Sequence, residues 1–166
     1  MVLSIALPIA IQNGITNFVN LLDNLMVGRI GTEEMSGVSI SNQLVFVFNL
    51  CIFGTVSGAG IFGAQFFGKK DDEGVKTTTR FKIVAGFVIT VIASAIFLLF
   101  GEKLISLFLT GDSNGGDLDK TLFFAMKYLR IMILGLPGFM LTQAYSSTLR
   151  EGGEAVLPMK AGIAAI

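Results

Sequence analysis

The sequence predicts an all-α integral membrane protein with four transmembrane helices and the start of a fifth. Hydrophobic residues make up 52% of the 166 residues and charged residues 14%, whereas a soluble domain carries roughly 25% charged residues. Four apolar segments reach the length of about 20 residues that a helix needs to cross a bilayer. The stretches between them are short and polar, so neither a soluble domain nor a linker is expected.

Glycine-rich or charged turns separate the predicted helices. Thr32 is expected to cap the second helix, because a threonine hydroxyl can accept a hydrogen bond from the first turn. Gly101 is expected to end the third helix, and 102–110 to form a short amphipathic helix at the membrane interface. The fifth apolar run is too short to span, so residues 1–166 are expected to be a truncated unit. The predicted helices cover about 2–27, 35–67, 82–100, 122–149 and, for the start of the fifth, 155–166.

Basic residues near the helix ends indicate the orientation in the membrane. They concentrate in the connection between the second and third helices, at Lys69, Lys70, Lys76, Arg80 and Lys82. We therefore expect a multi-pass protein of the plasma membrane (a bacterial inner membrane) whose N-terminus and Arg150 turn are cytoplasmic. Lys127 and Arg130 fit less well, because they lie within the fourth apolar segment on its outer side, unless they snorkel outward.

Composition argues against several classes of function. The 12 basic and 12 acidic residues cancel, so no nucleic-acid partner is expected. There is no histidine, which removes the Ser-His-Asp type of site and the commonest metal ligand. The single cysteine, Cys51, lies in an apolar run, and Gly58-Ala59-Gly60 lacks the Lys-Ser/Thr of a nucleotide loop. We expect neither an enzyme nor a cofactor.

The first helix carries a polar stripe. At about 100° per residue its polar side chains fall in one sector roughly 140° wide, and apolar side chains fill the rest of the wheel. Lipid offers such groups no hydrogen-bond partner. This face is therefore expected to line a polar or water-filled cavity. The stripe consists of Gln12, Asn13, Thr16, Asn17, Asn20, Asp23 and Asn24.

Asp23 is the charged residue of that stripe. A carboxylate inside a membrane is costly and is a functional hypothesis by default. It can bind a proton or a cation, and carboxylate and amide oxygens suit a hard cation. The alternative is structural: near the outer end of its helix, Asp23 could bond a neighbouring helix or reach the wet interface. The six polar neighbours favour function, and no metal site is expected other than Na⁺ at Asp23.

Prolines, small residues and further amides add weaker signals. Pro8 and Pro137 are candidate bending points, although Pro8 lies in the first turns, where a proline has little effect. Small residues at helical spacing between 54 and 68 permit close helix contact, and packing is the favoured interpretation over motion. Asn42, Gln43 and Gln65 are candidate cavity residues. Interhelical hydrogen bonds are the more common role for such side chains.

Several segments in order resemble the opening of MATE (multidrug and toxic compound extrusion) transporters. Each motif alone is weak, but the ordered series covers nearly the whole chain. The most informative segments are the start of the first helix and the run from Asp23 to Gly31. The segments that carry the resemblance are 7–13, 23–31, 41–43, 63–71, 128–131 and 135–137.

The resemblance implies a twelve-helix fold of two six-helix lobes, of which this chain would be a partial N-terminal lobe. It implies antiport of small organic compounds, cationic or amphipathic, driven by H⁺ or Na⁺. Asp23 matches the family's first-helix acid, associated with cation coupling, and Pro8 matches the proline linked to bending. The partners implied are membrane lipid and the missing C-terminal lobe. The chain departs from the family by stopping before the fifth-helix polar residues.

Two other functions stay open at this point. A lipid-linked oligosaccharide flippase of the same superfamily would need cationic residues facing the cavity, and Lys127 and Arg130 keep that option. A membrane subunit that only packs against partners would be favoured if the stripe on the first helix were buried against another helix.

Overall fold

The computed structural model describes residues 2–29, 31–109 and 118–164, and in these ranges the chain forms five α-helices and no strand. The last residues of the predicted fifth helix and most of the predicted turn after Thr110 lie outside the described residues. The helices run up and down in sequence. They are α1 (Val2–Gly28), α2 (Thr32–Lys69), α3 (Asp72–Leu109), α4 (Leu118–Glu151) and α5 (Val156–Ala164).

Three helices of the described chain, α2, α3 and α4, are long and apolar enough to cross a membrane. The predicted all-α membrane fold is therefore confirmed. That α1 also spans the membrane stays a prediction. We call the end of the bundle where α1 begins and α2 ends the Lys69 end, and the opposite end the Arg29 end.

The core lies between α2, α3 and α4. Ile52 and Ile105 are fully inaccessible, and Leu129 and Met140 are nearly so. The backbones of α2 and α4 approach closely at Gly37, where an added Cβ would lie 2.9 Å from the Ala125 nitrogen. These contacts place the three long helices in one packed unit on which α1 and α5 rest.

The third helix is longer than predicted at both ends. It starts at Asp72 because Asp71 Oδ1 accepts a hydrogen bond from the Gly74 N–H at 3.1 Å, which caps the helix. It also continues through Gly101 to Leu109, so the predicted break and separate interfacial helix are wrong. Gly101 is buried, and a Cβ there would lie 3.2 Å from Leu129 Cδ2. This glycine therefore permits close packing on α4.

The predicted cap of the second helix is also wrong. Thr32 is the first helical residue, Gly31 occupies the cap position, and no side chain bonds the first turn from that position. The helix ends at Lys69, beyond the predicted 67. Lys70 then adopts a left-handed conformation with φ of 55°, and its N–H and that of Asp71 bond the last carbonyls. Of the polar stretch after Phe67, only Lys70 and Asp71 lie outside the helices, and they form a tight turn between α2 and α3.

Candidate functional site

A cavity of about 750 Å³ surrounds Asp23 where α1, α2 and α4 meet near the Arg29 end. The last three residues of the α1 stripe, Asn20, Asp23 and Asn24, lie in one wall. The helix α2 contributes two asparagines, and α4 contributes a tyrosine. The cavity is lined by Asn20, Asp23, Asn24, Met26, Val27, Val38, Asn42, Val45, Phe46, Asn49, Tyr128 and Met132. Asp23 is the one acidic side chain among these lining residues.

A hydrogen bond joins α2 and α4 on the side of the cavity that faces α1. The Tyr128 hydroxyl of α4 donates to Asn42 Oδ1 of α2 at 3.3 Å. Tyr128 also lies within electrostatic reach of the Asp23 carboxylate. The cavity therefore combines one carboxylate, several amide oxygens and a phenol, which are oxygen ligands of the kind that a hard cation prefers.

The described residues hold no group of three histidine, cysteine, aspartate or glutamate side chains that could bind a metal ion.

The stripe of α1 does not face a single cavity. Asn20, Asp23 and Asn24 line the Asp23 cavity. Asn13 and Asn17 are exposed, and the Thr16 hydroxyl bonds the Gln12 carbonyl of its own helix at 3.0 Å. The Gln12 side chain lies at the Lys69 end, where it accepts a hydrogen bond from Arg150.

The candidate polar residues of α2 divide between different surfaces. Asn42 joins the Asp23 cavity, and its neighbour Ser41 donates to the Ala125 carbonyl of α4 at 3.0 Å. Gln43 lines an apolar groove between α2 and α3 instead, and Gln65 is exposed. Interhelical hydrogen bonds are thus present at Ser41 and Asn42. Neither Gln43 nor Gln65 is among the residues that line the Asp23 cavity.

The two candidate bending residues lie inside continuous helices. Pro8 is buried within α1, and Pro137 is exposed within α4. Both helices keep their α-helical assignment through the proline. Bending at Pro8 or Pro137 stays a prediction.

A second polar cluster, at the Lys69 end, was missed by the sequence prediction. The sequence predicts that Lys82 belongs with the basic residues of the cytoplasmic connection, yet its side chain is completely buried. Its Nζ lies 2.5 and 2.6 Å from the two carboxylate oxygens of Glu151. Ser147 also donates to Glu151 at 2.6 Å. The sequence signal for this cluster is the pair of glycines Gly60 and Gly63 in α2. They indicate close packing without naming the partner, and in the structure the Glu151 carboxylate fills the space that they leave.

Comparison with known proteins agrees with this architecture. A family model described as MatE matches residues 8–166. The chain belongs to the MatE family. The resemblance drawn from the first helix and the later segments is therefore confirmed, and the protein is a multi-pass membrane protein of this family.

Three curated relatives give the family a biological context. The chain is 25% identical over 157 residues to the "Probable multidrug resistance protein NorM" of Thermotoga maritima, covering 95% of this chain and 32% of that protein. It is 28% identical over 156 residues to the "Probable multidrug resistance protein YoeA" of Bacillus subtilis, covering 91% and 31%. It is 31% identical over 129 residues to the "Uncharacterized transporter C4B3.13" of Schizosaccharomyces pombe, covering 76% and 22%.

The chain spans about a third of the length of the first two relatives. No solved structure matches it. The comparisons therefore assign the family over nearly the whole chain.

Proposed function

We propose that this chain forms the N-terminal part of a cation-coupled antiporter that exports drugs or toxic organic compounds. The observation that carries the proposal is the Asp23 cavity, in which one carboxylate lies among polar side chains from three helices. The MatE family and the names of two relatives as probable multidrug resistance proteins support the transport of such compounds.

Asp23 is the proposed coupling residue, and H⁺ or Na⁺ is the coupling ion. An ionised carboxylate at membrane depth is costly unless a proton or a cation neutralises it. Binding of either ion changes the charge of the cavity. When the ion binds, the cavity loses its negative charge and its attraction for a cationic substrate. Ion uptake from one side of the membrane can therefore favour release of the substrate to that same side. No other cofactor is needed.

The proposed substrates are small organic compounds that are cationic or amphipathic. An acidic cavity with apolar walls favours such molecules, since the carboxylate attracts positive charge and Val45, Phe46 and Met132 offer apolar contact. Membrane lipid and the remaining length of a full-size MatE chain are the proposed partners. We place the protein in the plasma membrane with the N-terminus in the cytoplasm, because Lys69, Lys70 and their basic neighbours surround the α2–α3 turn.

The two alternatives gain no support from the described residues. Lys127 and Arg130 are exposed and are not among the residues lining the Asp23 cavity, so the cationic surface that a flippase would need is not assembled there. Six of the seven stripe residues are exposed. In a subunit that only packs against partners, we would expect this stripe to be buried against a neighbouring helix, and in the described residues it is not.

The experiment is Asp23→Asn in the full-length protein reconstituted into vesicles. Asparagine keeps the shape of the side chain but cannot take up a proton or provide a negative charge, so cation-driven efflux should be lost while insertion and expression stay normal. The matched control is Asp119→Asn, an exposed acid in the first turn of α4, which should transport as the parent does. Parental efflux in the Asp23→Asn protein would refute the assignment.

A further inference from the structure

We propose that Gln12 and Arg150 form a latch that fastens α1 to the end of α4 and must open for α1 to move. We call this contact the Gln12 latch. Its role in transport rests on the proposed function, whereas its mechanical role rests on the contacts of the Lys69 end alone.

The Gln12 side chain is held from two sides. Arg150 Nη2 donates to Gln12 Oε1 at 2.9 Å. At the other atom of the amide, α5 approaches so closely at Gly162 that a Cβ added there would lie 3.2 Å from Gln12 Nε2. The amide of Gln12 therefore sits between α4 and α5, and it fixes where the first half of α1 lies relative to both.

The α4 side of the latch is firmly anchored. Glu151, the residue next to Arg150, is bound by the buried Lys82 of α3 and by Ser147 of its own helix. Gly60 and Gly63 of α2 close around the same carboxylate. Residues of α2 and α3 thus pack against the last turn of α4 and hold the backbone from which the Arg150 side chain extends.

The α1 side is held far less firmly. The core cluster contains residues of α2, α3 and α4 and no described residue of α1. Most described side chains of α1 are exposed, including Leu7, Phe18 and Leu25. The described part of α1 therefore contributes nothing to this core, and the Gln12 latch is a specific polar contact that ties it to α4.

Arg150 can exchange partners when α1 leaves. Its Nε is buried and has no hydrogen-bond partner among the described residues, so the guanidinium has a donor available to another acceptor. A cavity of about 410 Å³ lies beside it between α2 and α4, lined by polar groups that include Ser57, Gln143 and Ser147.

The latch and the Asp23 cavity share one rigid helix. Gln12 and Asp23 are eleven positions apart, which is roughly 16 Å along the axis and about 20° around it, so they lie on the same face. Pro8 precedes both, so the segment that joins them contains no proline. A displacement of α1 that follows ion binding at Asp23 is therefore transmitted to Gln12.

The first test measures the position of α1 without using transport. In full-length protein with Cys51→Ala, spin labels are attached at the exposed positions Phe18→Cys and Leu134→Cys, and their separation is measured by double electron–electron resonance. Gln12→Ala and Arg150→Gln should each add a second, longer distance. Thr16→Ala is the matched control, one turn further along the same face, and should keep the parental distribution.

Distances in Gln12→Ala that equal those of the parent would overturn the latch, as would the same shift in Thr16→Ala. If Arg150→Gln does not fold, Gln12→Ala alone tests the latch, because it changes only one partly buried side chain. Because this readout needs no substrate, it decides on the latch even if the full-length protein does not transport.

The second test asks whether the latch must open during transport. In the same background, with every other cysteine of the full-length protein replaced as well, Gln12→Cys and Arg150→Cys are joined by a short bifunctional methanethiosulfonate reagent. It forms a disulfide with each thiol and should stop efflux in a way that reduction reverses. Phe67→Cys with Gly152→Cys is the matched control, since it joins α2 to the turn after α4 at the same end without involving α1. Efflux that continues in the first pair, or stops equally in both, contradicts the proposal.

Discussion

At the scale of single residues, Lys82 and Glu151 are the most constrained pair in the described structure. The Lys82 side chain is fully buried and that of Glu151 is 12% exposed. Taking two charges out of water costs several kcal/mol per ion, which close contact and extra hydrogen bonds can offset. Here Ser147 and Thr148 supply such additional contacts. Removing one partner would leave the other charge buried and uncompensated.

Lys82→Met is therefore expected to lower the free energy of unfolding by about 3–5 kcal/mol. Lys82→Met combined with Glu151→Leu should recover much of that loss, because apolar side chains of similar volume replace both charges. The measurement is the unfolding midpoint of the purified protein in detergent. Lys76→Met is the control, since Lys76 and Glu73 form an exposed pair on one helix and its loss should change stability by less than about 1 kcal/mol. Equal midpoints for Lys82→Met and Lys76→Met would be inconsistent with a buried ion pair.

At the scale of elements, α2 shows how small residues serve two different purposes. Gly60 and Gly63 are buried against Glu151, and their missing side chains make room for its carboxylate. Gly54, Gly58 and Gly68 meet no neighbouring atom within 4 Å of an added Cβ. The spacing in the sequence predicts close packing correctly for the first group. It cannot separate the two groups, because spacing reports the face of a helix and not what lies against it.

Gly63→Ala is expected to destabilise the bundle by about 1–3 kcal/mol, since the new methyl group overlaps the carboxylate that Lys82 holds in place. Gly58→Ala should be neutral or stabilising by up to about 1 kcal/mol, because alanine is the better helix former and the space is open. Thermal unfolding of the two proteins in the same detergent tests both. If Gly63→Ala is as stable as Gly58→Ala, the carboxylate does not occupy the position described.

At the scale of the whole molecule, the periodic features were predictable and the long-range contacts were not. Hydropathy and helical period are local properties, so the long apolar helices and the polar stripe with Asp23 follow from the sequence. The sequence places Lys82 at the start of the third helix and counts it with the basic connection before it, because a lysine is expected to be solvated unless its partner is known. That partner lies 69 positions away. The start of α3 was misplaced for a related reason, since acidic residues after Lys70 fit a loop and a capped helix equally well.

The Asp23 cavity itself is a property of the whole bundle, because α1 supplies the acid while Asn42 and Tyr128 come from α2 and α4. Under the proposed function, Tyr128→Phe should raise the H⁺ or Na⁺ concentration needed for half-maximal efflux by about tenfold, the equivalent of losing one hydrogen bond of about 1.4 kcal/mol. The phenyl ring keeps the packing, so expression and unfolding midpoint should not change. Tyr145→Phe removes the same hydroxyl from an exposed position on the same helix and should leave the ion dependence of efflux unaltered. An ion dependence shared by both variants and the parent would mean that the Tyr128 hydroxyl takes no part in ion binding, and the site would then consist of groups from α1 and α2 alone.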